Sequence, residues 1–169
     1  MNNEFAGPGI PPEKPSLLPV LLVLSYINTG FFALFYLIAI FAMMAVQSLP
    51  FDEFQARIEE QLATLPQSED LVGIQDLFGL LHAHGVALFI ILFLRTALRL
   101  VGVIMMHQRR YTGFHVYAAA QLLGLFAPFI ILPWSMFGIF GPIMTVLMVA
   151  LYGSQRKWFT RGREVPAGL

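Results

Sequence analysis

Residues Leu77–Met106, LFGLLHAHGVALFIILFLRTALRLVGVIMM, stay apolar for thirty positions, interrupted by only two histidines and two arginines. A bilayer's hydrocarbon core is ~30 Å thick, and ~20 apolar helical residues cross it. Leu77–Met106 (77–106) therefore reads as a membrane-spanning helix. Working outward, residues 17–46 form a second such run with no charge at all, and 112–132 and 135–157 supply two more. The expected architecture is all-α: a four-transmembrane-helix bundle forming one integral membrane domain over residues 1–169.

The composition agrees. Of 169 residues, 57% are hydrophobic and 12% charged, with a mean hydropathy of +0.72. A soluble domain carries about a quarter charged residues. Ten basic and ten acidic groups cancel, so no net field recruits nucleic acid. The absence of cysteine excludes disulfide scaffolds, thiol nucleophiles and thiolate-held clusters.

Charge placement orients the spans. An arrangement with both termini inside leaves Lys14, Arg109, Arg110, Arg156, Lys157, Arg161 and Arg163 on the cytoplasmic side. The loop at 47–76 carries Asp52, Glu53, Glu59, Glu60, Glu69, Asp70 and Asp76 against one base, Arg57. Lysine and arginine near span ends mark the cytoplasmic face, which gives an N-in/C-in topology in a bacterial inner (plasma) membrane. Residues 1–16 read as a cytoplasmic tail, with Pro8, Pro11, Pro12, Pro15 and Pro19 making an extended lead into the first span. The start lacks a basic n-region and is expected not to be a cleaved signal peptide. Residues 158–169 form a basic cytoplasmic tail.

Within the acidic loop, Phe51, Phe54, Ile58, Leu62 and Leu65 recur three and four apart, between Pro50 and Pro66. This predicts a short amphipathic helix, with Pro50 at its first position, lying on the external surface or capping the bundle. Ser68-Glu69-Asp70 reads as the next helix start. Gly79, Ala83 and Ala87 on the second span, and Gly113, Ala120 and Gly124 on the third, are candidate helix–helix seams. Pro128 is expected to kink the third span and Pro142 to bend the fourth, unless the fourth begins after a reentrant turn. Trp134, Trp158, Tyr111 and Tyr152 fall where interfacial anchors belong.

Arg95 and Arg99 are four apart and share a helix face. Counted inward from Arg109 at 1.5 Å per residue, they lie roughly 21 and 15 Å deep. A central arginine costs at least ~2.5–3.5 kcal/mol on insertion scales. Asn28, about 18 Å from Ser16, and Gln121, about 14 Å from Thr112, reach similar depths, with Tyr26 and Tyr117 nearby. Arg95, Arg99, Asn28 and Gln121 are therefore the candidate partner- or lipid-binding cluster. None of them carries a negative charge, and no acid falls inside any span. The two cations then need water at the headgroup level, a lipid phosphate, or a carboxylate from a ligand or partner.

No metal or cofactor site is expected. His82 and His84 are two apart and point about 200° apart on a helix, while His115 belongs to the opposite side of the membrane. The chain contains no H-E-x-x-H, no G-x-S-x-G and no nucleotide-binding glycine loop, and is expected not to be an enzyme.

The order of proline-rich start, four spans, acidic external loop and basic end frames two short segments. These are Tyr117-Ala118-Ala119-Ala120-Gln121-Leu122-Leu123-Gly124 and Leu151-Tyr152-Gly153. The whole resembles uncharacterised small four-span integral membrane proteins of Bacteroidota-type bacteria. The resemblance implies topology and inner-membrane residence, and no activity. Two functions follow from the residues. One is a non-catalytic accessory or scaffold subunit that binds a membrane partner or anionic lipid through the arginine face. The other is a small homo-oligomeric transporter or channel for an anionic solute, lined by Asn28, Arg95 and Gln121.

Overall fold

The computed structural model describes residues 17–63, 70–108 and 110–155, and among these every regular element is helical. Five α-helices follow in order: α1 (Leu18–Gln47), α2 (Phe51–Leu62), α3 (Asp70–His107), α4 (Tyr111–Phe126) and α5 (Phe140–Ser154). Three segments are long and apolar enough to cross a membrane: Leu18–Gln47, Gln75–His107 and Thr112–Ile130, while Phe140–Ser154 is shorter. At 1.5 Å per residue, α5 measures about 22 Å, less than a hydrocarbon core.

Local chemistry sets the boundaries. Pro19 belongs to the first turn of α1 and not to the extended lead, because its missing N–H is harmless there. Thirty uncharged residues later, the Ser48 hydroxyl donates to the Ala45 carbonyl at 2.6 Å, and Pro50 redirects the chain. Pro50 is the cap of α2 rather than its first residue. Asp52 and Glu53 occupy that helix's first turn, where the dipole favours acids. Leu65, Pro66 and Ser68-Glu69, like the two tails, lie outside the described residues.

Pro128 ends the α-helical part of the third span instead of kinking it. The chain tightens into a 3-10 turn at Ala127–Ile130, which proline at its start tolerates. A second 3-10 turn, Trp134–Met136, stacks among Phe126, Phe129 and Phe137 with ring centroids 5.0–6.4 Å apart. Pro142 bends nothing either. It falls in the first turn of α5, whose N–H groups have no intrahelical acceptor anyway.

α3 lies between α1 and α4, and α5 packs on α4. The buried core gathers where α1 begins, α3 ends, α4 begins and α5 ends: Leu21, Leu22, Val103, Met106, Tyr117 and Tyr152. Here α3 and α4 approach closely because Gly102 faces the Tyr117 backbone and Gly113 faces the Met106 backbone. Gly113, Ala120 and Gly124 do form a packed face. Ala83 and Ala87 are exposed and a Cβ on Gly79 would meet nothing within 4 Å, so these three do not form the expected seam within the chain. Elsewhere α1 carries Val20, Ile27, Phe31 and Phe41 more than 57% exposed, a surface that belongs in lipid.

Tyr152 corrects the expectation of an interfacial anchor. It is fully buried, its hydroxyl donates to the Leu21 carbonyl at 2.7 Å, and it sits 2.8 Å from the Ser25 hydroxyl. Its ring meets Tyr117 edge-on at 4.8 Å. Tyr152→Phe is expected to cost about 1 kcal/mol of unfolding free energy in micelles, the hydrogen-bond share. Tyr152→Ala is expected to cost about 3 kcal/mol. Equal small losses for both would place the ring outside the core.

Candidate functional site

Arg95 and Arg99 stand on α3 one to three turns before the core. Arg95 is twenty residues after Gln75 and twelve before His107, so the two ends of the apolar segment are about 30 and 18 Å away along the axis. The His82 end carries the charged surface of α2. The other end leads into Gln108 and Arg110. Arg95 thus lies inside the apolar segment in the half nearer the core end, and Arg99 one turn closer still.

The predicted cluster forms as two separate pairs. Arg99 Nη2 donates to Asn28 Oδ1 on α1 at 3.2 Å, and Arg95 Nη2 reaches Gln121 Oε1 on α4 at 3.4 Å. Gln121 Nε2 in turn donates to the Tyr117 hydroxyl at 3.1 Å. Hydrogen bonds therefore run from Arg95 through Gln121 to the Tyr117 hydroxyl, and the Tyr117 ring meets Tyr152 edge-on. Tyr26 is set apart, edge-on to His107 at 6.1 Å.

The remaining guanidinium donors decide the site's chemistry. Each guanidinium has five N–H donors and no acceptor. Arg95 Nε and Arg99 Nε are buried and have no hydrogen-bond partner. The acceptors present are neutral amide oxygens, and the one ion pair among the described residues, Arg57–Glu53, is exposed on α2. A buried donor left unpaired costs about 1–3 kcal/mol. Among the described residues, the acceptors that meet the two guanidiniums are the amide oxygens of Gln121 and Asn28, and both Nε atoms are left without one.

Two participants carry little sequence signal. Gly124 is the first: a Cβ there would lie 2.5–2.6 Å from Arg95 Cγ, Cδ and Nε, so the glycine makes the trough in which the arginine lies. Its place in a small-residue stripe hinted at packing, but not that a cation does the packing. Tyr36 is the second. It lies within electrostatic range of both guanidiniums, two helical turns from Asn28, and an aromatic in an apolar helix gave no cue.

The histidines stay apart. His82 donates from Nε2 to the Leu49 carbonyl at 3.1 Å and packs against Phe54 and Phe51, with centroids at 4.9 and 5.3 Å. It pins α2 onto α3 above a pocket of about 320 Å³. His84 is exposed, and His115, at the opposite end, adjoins Phe114. Among the described residues no three metal-ligating side chains come together. The chain matches no family model, no curated protein and no solved structure.

Proposed function

We propose that this chain is a non-catalytic, multi-pass membrane protein. In this reading it is an accessory or scaffold subunit whose Arg95/Arg99 face, with Asn28 and Gln121, holds an anionic group of a membrane partner or lipid. The observation that carries the reading is the pair of buried Nε atoms without partners. Two cations inside an apolar segment are costly, and a bound oxyanion offsets that cost through charge-assisted, two-pronged hydrogen bonds. A conduit for anions is less well supported, because the space beside Arg95 is apolar.

Both termini face the cytoplasm of a bacterial inner membrane in this proposal, with the bases flanking α3, α4 and α5 inside and α2 outside. A chain without cysteine makes the orientation easy to test. Gln55→Cys on α2 is expected to react with an impermeant maleimide in intact spheroplasts, and Gln108→Cys only after lysis. The reverse pattern would invert the topology.

The binding role is tested by native mass spectrometry of the protein extracted with its own lipids. Wild type is expected to retain an anionic lipid or a companion protein that Arg95→Leu/Arg99→Leu loses. Bare protein in both samples would refute the proposal.

A further inference from the structure

We propose that the cleft between α2 and the start of α3 binds a small organic cation, an ammonium group carried on an apolar body. The cleft has a volume of about 320 Å³, which falls within the ~300–1,000 Å³ range of small-molecule sites. Three phenylalanines line it, Phe51 and Phe54 from α2 and Phe78 from α3. Two carboxylates line it as well, Glu59 from α2 and Asp76 from α3. The two walls are fixed to each other by His82 of α3, which meets the Leu49 carbonyl at 3.1 Å and the Phe54 ring at 4.9 Å. Apolar surface and a few convergent polar groups, both drawn from both walls, are the makings of a ligand site.

The charge at this end of the molecule gives the sign of the ligand. Between Lys14 and Arg95 the sequence has a single lysine or arginine, Arg57, against seven acids. Arg57 is engaged by Glu53 at 2.6 Å, and none of the described residues that line the cleft is basic. Glu59 accepts a hydrogen bond from Gln55 Nε2 at 2.8 Å, and a carboxylate has room for about four such bonds. An anion would meet repulsion here, and an uncharged ligand would leave both carboxylates unmatched. A metal ion fits poorly, because hard cations take about six or more oxygen ligands. Among the described residues no three metal-ligating side chains come together. Phenyl rings suit an organic cation: their faces attract an ammonium, and their apolar surface covers the body that carries it.

The site is independent of the anion-holding reading, since Arg95 lies sixteen residues beyond Gly79 on α3, about 24 Å along the axis. The full-length protein in nonionic detergent is titrated calorimetrically with phenethylammonium, phenethyl alcohol and 3-phenylpropionate, each against empty micelles. The ammonium is expected to bind about tenfold more tightly than the alcohol, and the carboxylate not to bind. Added salt is expected to shrink that preference, because Glu59 and Asp76 are exposed and exposed charges are screened. Glu59→Gln/Asp76→Asn, at two exposed positions that the fold tolerates, is expected to make the ammonium and the alcohol equal. Gly79 also lines the cleft, and a Cβ there would meet nothing within 4 Å. Gly79→Leu is therefore expected to fill the space and weaken both ligands severalfold.

No binding above empty micelles, equal binding of all three probes, or an ammonium preference that survives Glu59→Gln/Asp76→Asn would overturn the proposal. Arg95→Leu/Arg99→Leu is expected to leave these titrations unchanged, so the anion-holding reading and this one fail separately. Phosphatidylethanolamine carries the same ammonium. Its displacement of the probe would assign the site to a lipid headgroup, and its failure to compete would assign it to a water-soluble amine, the site standing in either case.

Discussion

Gly102→Leu is expected to lower the unfolding free energy by about 3 kcal/mol or more and to separate α3 from α4. At this position a single added Cβ would lie 2.7 Å from the Tyr117 nitrogen and 2.9 Å from its Cα. Those are backbone atoms of a helix, which cannot rotate away as a side-chain tip can. Overpacking a core ordinarily costs 1–3 kcal/mol, roughly, when neighbours can repack, and here relief requires the helices to move. Movement would also open the Tyr117–Tyr152 ring contact and the Tyr152 bond to Leu21, so the loss should spread to α1 and α5. Gly79→Leu, whose surroundings are open, provides the control and is expected to be silent. Steric-trapping or thermal measurements in micelles read both variants. Equal behaviour of the two would mean that the α3–α4 seam does not run through Gly102.

The double variant Arg95→Leu/Arg99→Leu is expected to move stability the other way. It removes two half-buried cations inside an apolar segment, where an arginine costs at least ~2.5–3.5 kcal/mol on insertion scales, and two buried Nε donors that have no partner. It also frees Asn28 Oδ1 and Gln121 Oε1. Asn28 is exposed, so its loss is small. Gln121 is buried and keeps its bond to Tyr117, so leaving one amide acceptor unpaired costs about 1–3 kcal/mol. Replacing buried charges by apolar groups of similar volume often stabilises a fold by about 1–4 kcal/mol. The net expectation is a gain of about 2 kcal/mol for the isolated protein. Such a gain would support the proposed binding role, since functional groups are often retained at a cost in stability.

Much of the helical layout was legible because long apolar runs report length and charge-free span directly. The α2 helix was legible too, since an amphipathic pattern on a polar background says which way it faces. Inside the spans that information disappears. α1, α3 and α5 are apolar around their whole circumference, so periodicity cannot distinguish a lipid face from a packed one. Hence Gly102 and Gly85, both close-packed, went unremarked, while Gly79, Ala83 and Ala87 fitted a pattern without packing. Tyr152 looked interfacial because it stands near the end of its run, although three-dimensional contact with Leu21 and Ser25 buries it. The arginines were the exception. Polar groups are so few in these helices that matching depths alone was enough to group Arg95, Arg99, Asn28 and Gln121, although not to divide them into the Arg95–Gln121 and Arg99–Asn28 pairs.

The central claim is that Arg95 and Arg99 serve a bound anion and not the fold. It is tested most directly by comparing the unfolding free energies of wild type and Arg95→Leu/Arg99→Leu, both stripped of companions and placed in nanodiscs of zwitterionic lipid only. The predicted result is a variant that is more stable than wild type by about 2 kcal/mol. A variant several kcal/mol less stable than wild type would contradict the account, because the guanidiniums would then be structural cross-links between α1, α3 and α4.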